Sequence, residues 1–209
     1  MGRNRGWLLL GVAALGVSVL FLAAYGAASA PLPEGFPPPT SDGQLEVKQY
    51  PSYRAATVHI TGPLAEAPSR GFAPLYRHIN RNQIAMTAPV ETRYPLGTLQ
   101  SNTLVMGEAT VSFLYRSLDI EPETTDADVE IEEVPAMIVV SLGQRGSYDY
   151  DSYMQGLERI QDWLQQHPQW SVAGAPRRLF YDAPFIPNYL KRSEIQIPIR
   201  GGKPNGPQN

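Results

Sequence analysis

A gap-free internal repeat constrains this sequence more than any other feature. The stretch LEVKQYPSYRAATV at 45–58 aligns with VEIEEVPAMIVVSL at 129–142, and Pro51 falls opposite Pro135. Each copy alternates apolar and polar residues, as a half-buried strand does, and then meets the proline. Because proline cannot donate to a β-ladder, we expect each strand to be broken there and to lie at a sheet edge or a bulge.

Each copy of the repeat is followed by a pattern typical of an amphipathic helix. Apolar residues recur at three- and four-residue spacings in both segments. Pro74 must then lie in the first turn of the first helix, since a proline deeper in a helix breaks it. Ser152 and Gln155 match a capping box for the second helix, and His167 with the proline after it marks the end. The apolar positions are Phe72, Leu75, Tyr76 and Ile79 in the first half and Tyr153, Leu157, Ile160 and Leu164 in the second.

Two extended segments follow each predicted helix. They lie at 86–94 and 104–116 in the first half, and at 177–181 and 194–199 in the second. The chain therefore predicts two strand–helix–strand–strand halves, 45–118 and 129–199, joined by the acidic linker 119–128. Two such halves bury most apolar surface by joining their sheets. We expect one α+β domain at 44–200, with an antiparallel, barrel-like sheet and two helices.

The N-terminus predicts export. Arg3 and Arg5 precede an uncharged, largely apolar run at 7–28, which has roughly the 20 residues that cross a bilayer. Basic residues before the run place everything after it on the non-cytoplasmic side. The small residues 28–30 also match a signal-peptide cleavage site, so a membrane anchor and secretion after cleavage near Ala30 both stay open. The Pro-rich stretch 31–43 is predicted to be a spacer, and 201–209 a flexible tail.

Composition excludes several classes of function. The chain of 209 residues has no cysteine, so disulfides, thiolate metal sites and cysteine nucleophiles are excluded. Its formal net charge is −3, with only Arg3 and Arg5 charged among the first thirty residues. The mildly acidic body lacks the clustered bases that nucleic-acid binding requires. We expect a monomer that has no nucleic-acid partner.

The wording and order of four segments resemble the SOUL haem-binding proteins. These segments are LEVKQYP at 45–51, FAPLYRHI at 72–79, IAMTAPV at 84–90, and YDAPFIP at 181–187, the last followed by KRSE. The resemblance spans about 45–199. It implies a pseudo-duplicated barrel-like fold shared with small-molecule effector-binding domains. It also implies reversible, non-covalent binding of haem or another tetrapyrrole, with no agreed catalytic activity.

The resemblance also implies where the cofactor would lie. Haem would occupy an apolar cleft beside the first helix, with basic residues near its propionates and the loop around Phe185 and Ile186 as the opposite lip. The predicted cofactor-binding residues are Arg70, Pro74, Arg77, His78, Arg81, Met86, Phe185 and Ile186. His78 is the candidate axial metal ligand, since histidine and methionine both ligate haem iron.

Each of these assignments has a structural alternative. His78 can equally be a solvated helix histidine beside Arg77, and the arginines an ordinary solvated helix face. Met86 can be a core filler. His59 in the first strand and His167 at a helix end have default structural explanations, and Lys191 and Arg192 are interpreted as surface charges.

Enzymatic function finds no support in the sequence. Glu46, Glu130, Glu132 and Glu133 could serve as acid and base, but strand alternation places them on the solvated side. Neither a nucleophile elbow nor a P-loop is present. We expect a binding protein for haem buffering, delivery or sensing. The alternatives are an effector-binding module for another amphipathic molecule and a tetrapyrrole-modifying enzyme.

Overall fold

The computed structural model describes residues 30–101 and 103–201. Two helices are present there, α1 (Ala67–Arg81) and α2 (Tyr150–Gln166). The predicted membrane or signal segment and most of the predicted tail lie outside the described residues. Within them, neither helix is both long and apolar enough to cross a membrane. The nine strands are β1 (Leu45–Tyr50), β2 (Tyr53–Pro63), β3 (Val90–Arg93), β4 (Met106–Leu114), β5 (Glu130–Val134), β6 (Met137–Arg145), β7 (Ser171–Val172), β8 (Arg177–Phe180) and β9 (Arg192–Arg200).

The strands form one antiparallel sheet in which the two halves exchange their first strands. The strand order is β1-β6-β9-β8-β3-β4-β2-β5, with the short β7 beside β9. This order reads the same when the halves are interchanged, which confirms the internal repeat. The expected break at each proline is also confirmed. However, the two pieces become separate strands, because β1 pairs with β6 of the other half while β2 pairs with β4 and β5.

The sheet is open, which corrects the expectation of a barrel-like one. The edge strands of the path are β1 and β5, and the described residues form no ladder between them. Each edge strand ends one residue before Pro51 or Pro135. The prolines therefore stop the ladders at the positions that their missing N–H predicts.

Both helices pack on the same face of the sheet through a glycine. A Cβ atom on Gly71 of α1 would lie 2.5 Å from Val111 Cβ of β4. A Cβ atom on Gly156 of α2 would lie 2.3 Å from Ile195 Cδ1 of β9. These contacts are closer than any side chain tolerates, so glycine lets each helix approach the central strands. The equivalent contact in both halves is a further consequence of the repeat.

Two predicted helix features are wrong. Pro74 lies in the interior of α1, not in its first turn, because the helix begins at Ala67 with Pro68 near its start. The N-cap of α2 is Asp149, whose side chain accepts a hydrogen bond from the Ser152 backbone N–H at 2.7 Å. The predicted end of α2 is confirmed, since the helix ends at Gln166 and His167 is its C-cap.

Residues 31–43, predicted to be a spacer, pack on the face of the sheet opposite the helices. Phe36 inserts edge-on between Tyr50 and Tyr53, with ring centroids 4.9 and 5.2 Å away. The backbone N–H of Thr40 donates to buried Glu194 at 2.6 Å. Because apolar and polar contacts both fix it, this segment is part of the folded domain.

An apolar cleft beside the first helix

An open cleft of 580 Å³ lies between α1, the start of β3 and the loop that follows β8. Its volume falls within the range of about 300–1,000 Å³ that is typical of small-molecule sites. Most of its lining is apolar or aromatic. The residues are Ala30, Ala65, Pro68, Ser69, Phe72, Tyr76, Met86, Thr87, Ala88, Val90, Tyr148, Phe180, Tyr181, Asp182, Ala183, Pro184 and Lys191.

One wall of the cleft is a row of side chains on α1. Phe72 and Tyr76 are four residues apart, so they project from the same side of the helix. Their rings stack at 5.9 Å with an interplanar angle of 15°. Phe72 also contacts Phe113 of β4 edge-on at 5.1 Å, which fixes this ring against the core. Tyr76 is 48% exposed and supplies a broad ring at the mouth.

The segment IAMTAPV that follows α1 contributes the next part of the lining. Met86, Thr87 and Ala88 line the cleft, and the Ala88–Pro89 peptide bond is cis. The Thr87 hydroxyl donates to the backbone carbonyl of Leu114. The segment is thereby attached to the end of β4. This bond holds the floor of the cleft against the sheet.

The opposite lip is the loop after β8, which ion pairing holds in place. Asp182 accepts four hydrogen bonds from Arg192, the shortest being 2.7 Å from Nη2 and 2.6 Å from the backbone nitrogen. Lys191 projects at the cleft with its Nζ 5.1 Å from the centroid of the Tyr148 ring, and it donates to Asn188 Oδ1 at 2.9 Å. Lys191 is therefore the basic residue of the described cleft lining, a role that nothing in the sequence indicates beyond its place in KRSE.

The predicted arginines lie outside the cleft lining. Arg77 pairs with Asp128 at 3.2 Å and Arg81 pairs with Asp126. Arg70 donates to the backbone carbonyl of Thr61 at 3.0 Å. The acidic linker 119–128 runs beside the second half of α1, so its carboxylates neutralise Arg77 and Arg81, two of the three arginines that were predicted to face propionates. A pairing across about 50 residues could not be seen in the helical spacing.

His78 is a buried residue of the helix–sheet interface and not one of the cleft-lining residues. Its side chain is inaccessible, which rules out the alternative of a solvated helix histidine. Its Nε2 lies 2.9 Å from Tyr115 Oη, and Asn82 Nδ2 lies 3.4 Å from its Nδ1. Burial lowers the pKa of His78 below its ordinary value. The geometry thus gives the imidazole a structural partner and does not support the predicted iron ligation.

Of the other predicted site residues, one lines the cleft and three do not. Met86 is in the cleft lining. Ile186 is 7% exposed and Phe185 is 78% exposed, and neither is in the lining, which their loop reaches through Ala183 and Pro184. Pro74 is half-buried and lies outside the lining. The sequence thus predicted which segments form the cleft, but not which of their side chains face it.

Two tyrosine hydroxyls in the lining donate hydrogen bonds to other groups of the protein. Tyr181 Oη donates to buried Glu194, and burial followed by this carboxylate raises its pKa well above the ordinary value. Tyr148 Oη donates to the carbonyl of Arg192 at 2.7 Å, and burial raises its pKa to about 12. Both phenols therefore stay protonated at neutral pH and serve as apolar walls.

Fold and cleft together define a pseudo-duplicated α+β domain with an apolar pocket at the junction of its halves. The family model of the SOUL heme-binding protein matches residues 38–198. The chain therefore belongs to the SOUL family, as the four sequence segments predict. No curated protein matches the sequence.

Solved structures share the fold at low sequence identity. The crystal structure of the EcmrR C-terminal domain is 16% identical with a TM-score of 0.61, covering 76% of this chain and 98% of that one. A crystal structure of a hydrolase from Listeria innocua is 10% identical with a TM-score of 0.54, covering 77% and 94%. At these identities the likeness establishes the common fold alone.

Proposed function

We propose that this protein binds haem or a related tetrapyrrole reversibly in the cleft beside α1, as a binding protein and not an enzyme. The observation that carries the proposal is the cleft itself, which is apolar and ring-lined in a member of a haem-binding family. Its role would be haem buffering, delivery or sensing outside the cytoplasm. The uncharged, largely apolar run at 7–28, which follows Arg3 and Arg5, supports that location.

The cleft residues fit a flat, largely apolar ring system. Phe72 and Tyr76 on one wall and Phe180 on the other offer aromatic surface to the faces of a macrocycle. Lys191 at the mouth is placed to pair with a carboxylate while the ring is buried. Haem would supply its own iron chemistry, which these residues would shield from water.

We expect the bound iron to have no histidine ligand from the described part of the chain. His78 is bonded to Tyr115 in the interior, and neither other histidine is in the lining. Met86 is the lining residue whose side chain suits haem iron. Affinity would therefore come mainly from apolar contact and from Lys191, which favours a ligand that can be released.

Hemin titration of the purified protein, followed by the Soret band, tests the proposal. Saturable binding in the low micromolar range is expected. Lys191→Ala should weaken binding by about five- to tenfold, equivalent to roughly 1 kcal/mol. Tyr76→Ser should also weaken it, whereas Tyr76→Phe, which keeps the ring, should not.

Arg77→Ala is the matched control for the lysine, because Arg77 is a basic residue on α1 that pairs with Asp128. The affinity of this variant should stay within about twofold of the wild type, since an exposed charge outside the lining that is already paired contributes little. The opposite result, with Arg77→Ala weakened and Lys191→Ala unchanged, would place the ligand on the arginine row. Absence of a Soret shift at tens of micromolar hemin would reject haem as the ligand.

One observation favours a second candidate, an effector-binding module for another amphipathic molecule. Haem has two carboxylates, and the described lining supplies one basic side chain, Lys191, and one acidic one, Asp182. A neutral or singly charged aromatic ligand would match this balance better. Thermal-shift screening with porphyrins and with smaller aromatic acids would separate the two, since a ligand that binds the native state raises the midpoint. Turnover of a bound porphyrin would instead support a modifying enzyme.

A further inference from the structure

Three exposed aromatic side chains lie on the two elements that face each other across the cleft, next to residues that line it. Tyr76 on the α1 lip is 48% exposed, and Phe185 and Tyr189 in the opposite loop are 78% and 72% exposed. Single exposed aromatics are ordinary, but several around one opening mark an interaction surface. We call Tyr76, Phe185, Tyr189 and Lys191 the rim.

The chain enters the described domain at this same cleft. Ala30 is in the lining, and the next residues are fixed to the sheet. The carbonyl of Pro31 accepts from the Ala88 backbone N–H at 3.0 Å, and the carbonyl of Leu32 accepts from Arg116 Nη1 at 2.6 Å. Any segment that precedes Ala30 must therefore leave the domain beside the mouth of the cleft.

The sequence before Ala30 limits how far this mouth can be from a membrane. The apolar run at 7–28 ends two positions before Ala30. Two residues of extended chain span at most about 7 Å. If the run crosses a bilayer, its end lies at the headgroups, so Ala30 and the part of the cleft that it lines are held within roughly that distance of the lipid surface.

We propose that the rim docks on the surface of a lipid bilayer, with the cleft opening toward the lipid. Aromatic side chains favour the membrane–water interface, where an apolar ring and a polar end are both accommodated. Lys191 is the rim's basic group and would lie among the phosphates of the headgroups. An amphipathic ligand dissolved in the membrane would then enter the cleft without crossing bulk water. This inference rests on the proposed membrane tether, but not on which ligand the cleft takes.

The lack of cysteine allows a direct test by site-directed spin labelling. Phe185→Cys and Tyr189→Cys would each carry a nitroxide in the full-length protein, reconstituted into phosphatidylcholine vesicles containing some phosphatidylglycerol. Gln165→Cys is the matched control, because Gln165 is exposed on α2 outside the cleft lining. We expect the ratio of oxygen to nickel-complex collision rates to be several-fold higher at the two rim positions than at the control, because oxygen concentrates in lipid and the complex stays in water.

Three results would overturn the proposal. Equal ratios at the rim and at Gln165 would show that the rim faces water although the protein is tethered. Failure of the wild-type protein to float with the vesicles would remove the tether, and with it the docking. Short distances between nitroxides at position 185 on different molecules, at low protein density, would show that a second copy covers the rim instead. Hemin binding in solution is measured separately, so its failure would leave these results unchanged.

Discussion

His78 on α1 and Tyr115 after β4 are joined by a hydrogen bond of 2.9 Å in the interior between helix and sheet. His78 is inaccessible to solvent, and Tyr115 is 1% exposed. Burial raises the pKa of Tyr115 to about 12, so its hydroxyl stays protonated at any ordinary pH. The pair attaches the C-terminal half of α1 to the sheet, and α1 is the helix that carries one wall of the cleft.

Tyr115→Phe should destabilise the protein without changing the hemin spectrum. The substitution leaves the buried Nε2 of His78 without its partner, which costs about 1–3 kcal/mol. Urea unfolding would measure the loss. Tyr76→Phe removes an exposed hydroxyl and should change stability by less than about 0.5 kcal/mol. Equal stability of the two variants would contradict the structural role, and a changed Soret maximum in Tyr115→Phe would revive the ligand hypothesis for His78.

Stability should fall as the pH falls through the range in which His78 titrates. Burial lowers the pKa of the folded-state imidazole below the unfolded value of about 6.5. The unfolded chain therefore binds the proton more readily, and protonation below about pH 6.5 favours unfolding until the folded-state pKa is passed. Comparing unfolding free energies at pH 8 and pH 5 should show a smaller drop for His78→Gln than for the wild type. An unchanged drop would contradict this assignment.

His59 should affect the pH dependence of stability with the opposite sign. It lies on β2 between the carboxylates of Glu108 and Glu130, at 3.1 and 3.4 Å, and the hydrogen bond to Glu108 is the largest cause of its raised pKa. The stability that His59 contributes is fully present below its unfolded-state pKa of about 6.5. This stability is lost as the pH rises through the higher folded-state pKa. Histidine NMR titration should find His59 above and His78 below 6.5. His59→Gln should remove the upper transition, and reversed midpoints would disprove both assignments.

The local parts of this structure could be predicted from the sequence, and the long-range parts could not. Gly62 and Gly146 fall at equivalent positions of the repeat, and both adopt positive φ, at 136° and 134°. By contrast, the pairing of Arg81 with Asp126 joins two segments that no periodicity relates. Phe36 lies in a Pro-rich stretch whose composition resembles a linker, yet its single ring fills a gap between Tyr50 and Tyr53. Because composition describes a segment by its average, it does not reveal the contacts of one residue such as Phe36.

The same limit applies to the cleft. IAMTAPV and YDAPFIP, two of the segments that carry the sequence resemblance, both contribute residues to the lining, and each is local in the chain. Which basic side chain faces the cleft depends on which of them are bonded to other parts of the folded chain. Arg77 and Arg81 of α1 are paired with the linker and Arg70 is bonded to the Thr61 carbonyl. Lys191, by contrast, is held at the mouth by the Asn188 amide oxygen and the Tyr148 ring. Only the folded arrangement distinguishes them.

Gly71→Ala should loosen the contact between α1 and the sheet. The added methyl would lie 2.5 Å from Val111 Cβ, so backbone or side chain must shift. Overpacking of this kind costs typically about 1–3 kcal/mol, which exceeds the gain of up to about 1 kcal/mol in helix propensity. The contact would be tested by chemical denaturation of Gly71→Ala, of Val111→Ala and of the double variant Gly71→Ala/Val111→Ala. The double variant should lose less stability than the sum of the singles, and simple additivity would exclude the clash as the cause.

Glu91→Gln should be among the most damaging conservative substitutions on the face of the sheet opposite the helices. Glu91 is 1% exposed, and its carboxylate lies 2.8 Å from Nη1 of Arg177, which is 2% exposed. The Tyr53 hydroxyl donates to the same oxygen at 2.8 Å. Removing one partner of a buried pair leaves a charge that is neither paired nor hydrated, at a cost of about 3–5 kcal/mol.

Two further variants distinguish this explanation from a general loss of packing. Glu133→Gln is the matched control, since Glu133 is exposed and 4.0 Å from Arg54, and it should change the unfolding free energy by less than about 1 kcal/mol. Glu91→Leu/Arg177→Met removes both charges and should be more stable than Glu91→Gln, because no buried charge is left unpaired. If the double variant is instead the less stable one, the pair stabilises the sheet by more than it costs to bury. The network that links Arg177 to Gln196 at 2.9 Å would then be the reason, because both charges are needed to keep its hydrogen bonds satisfied.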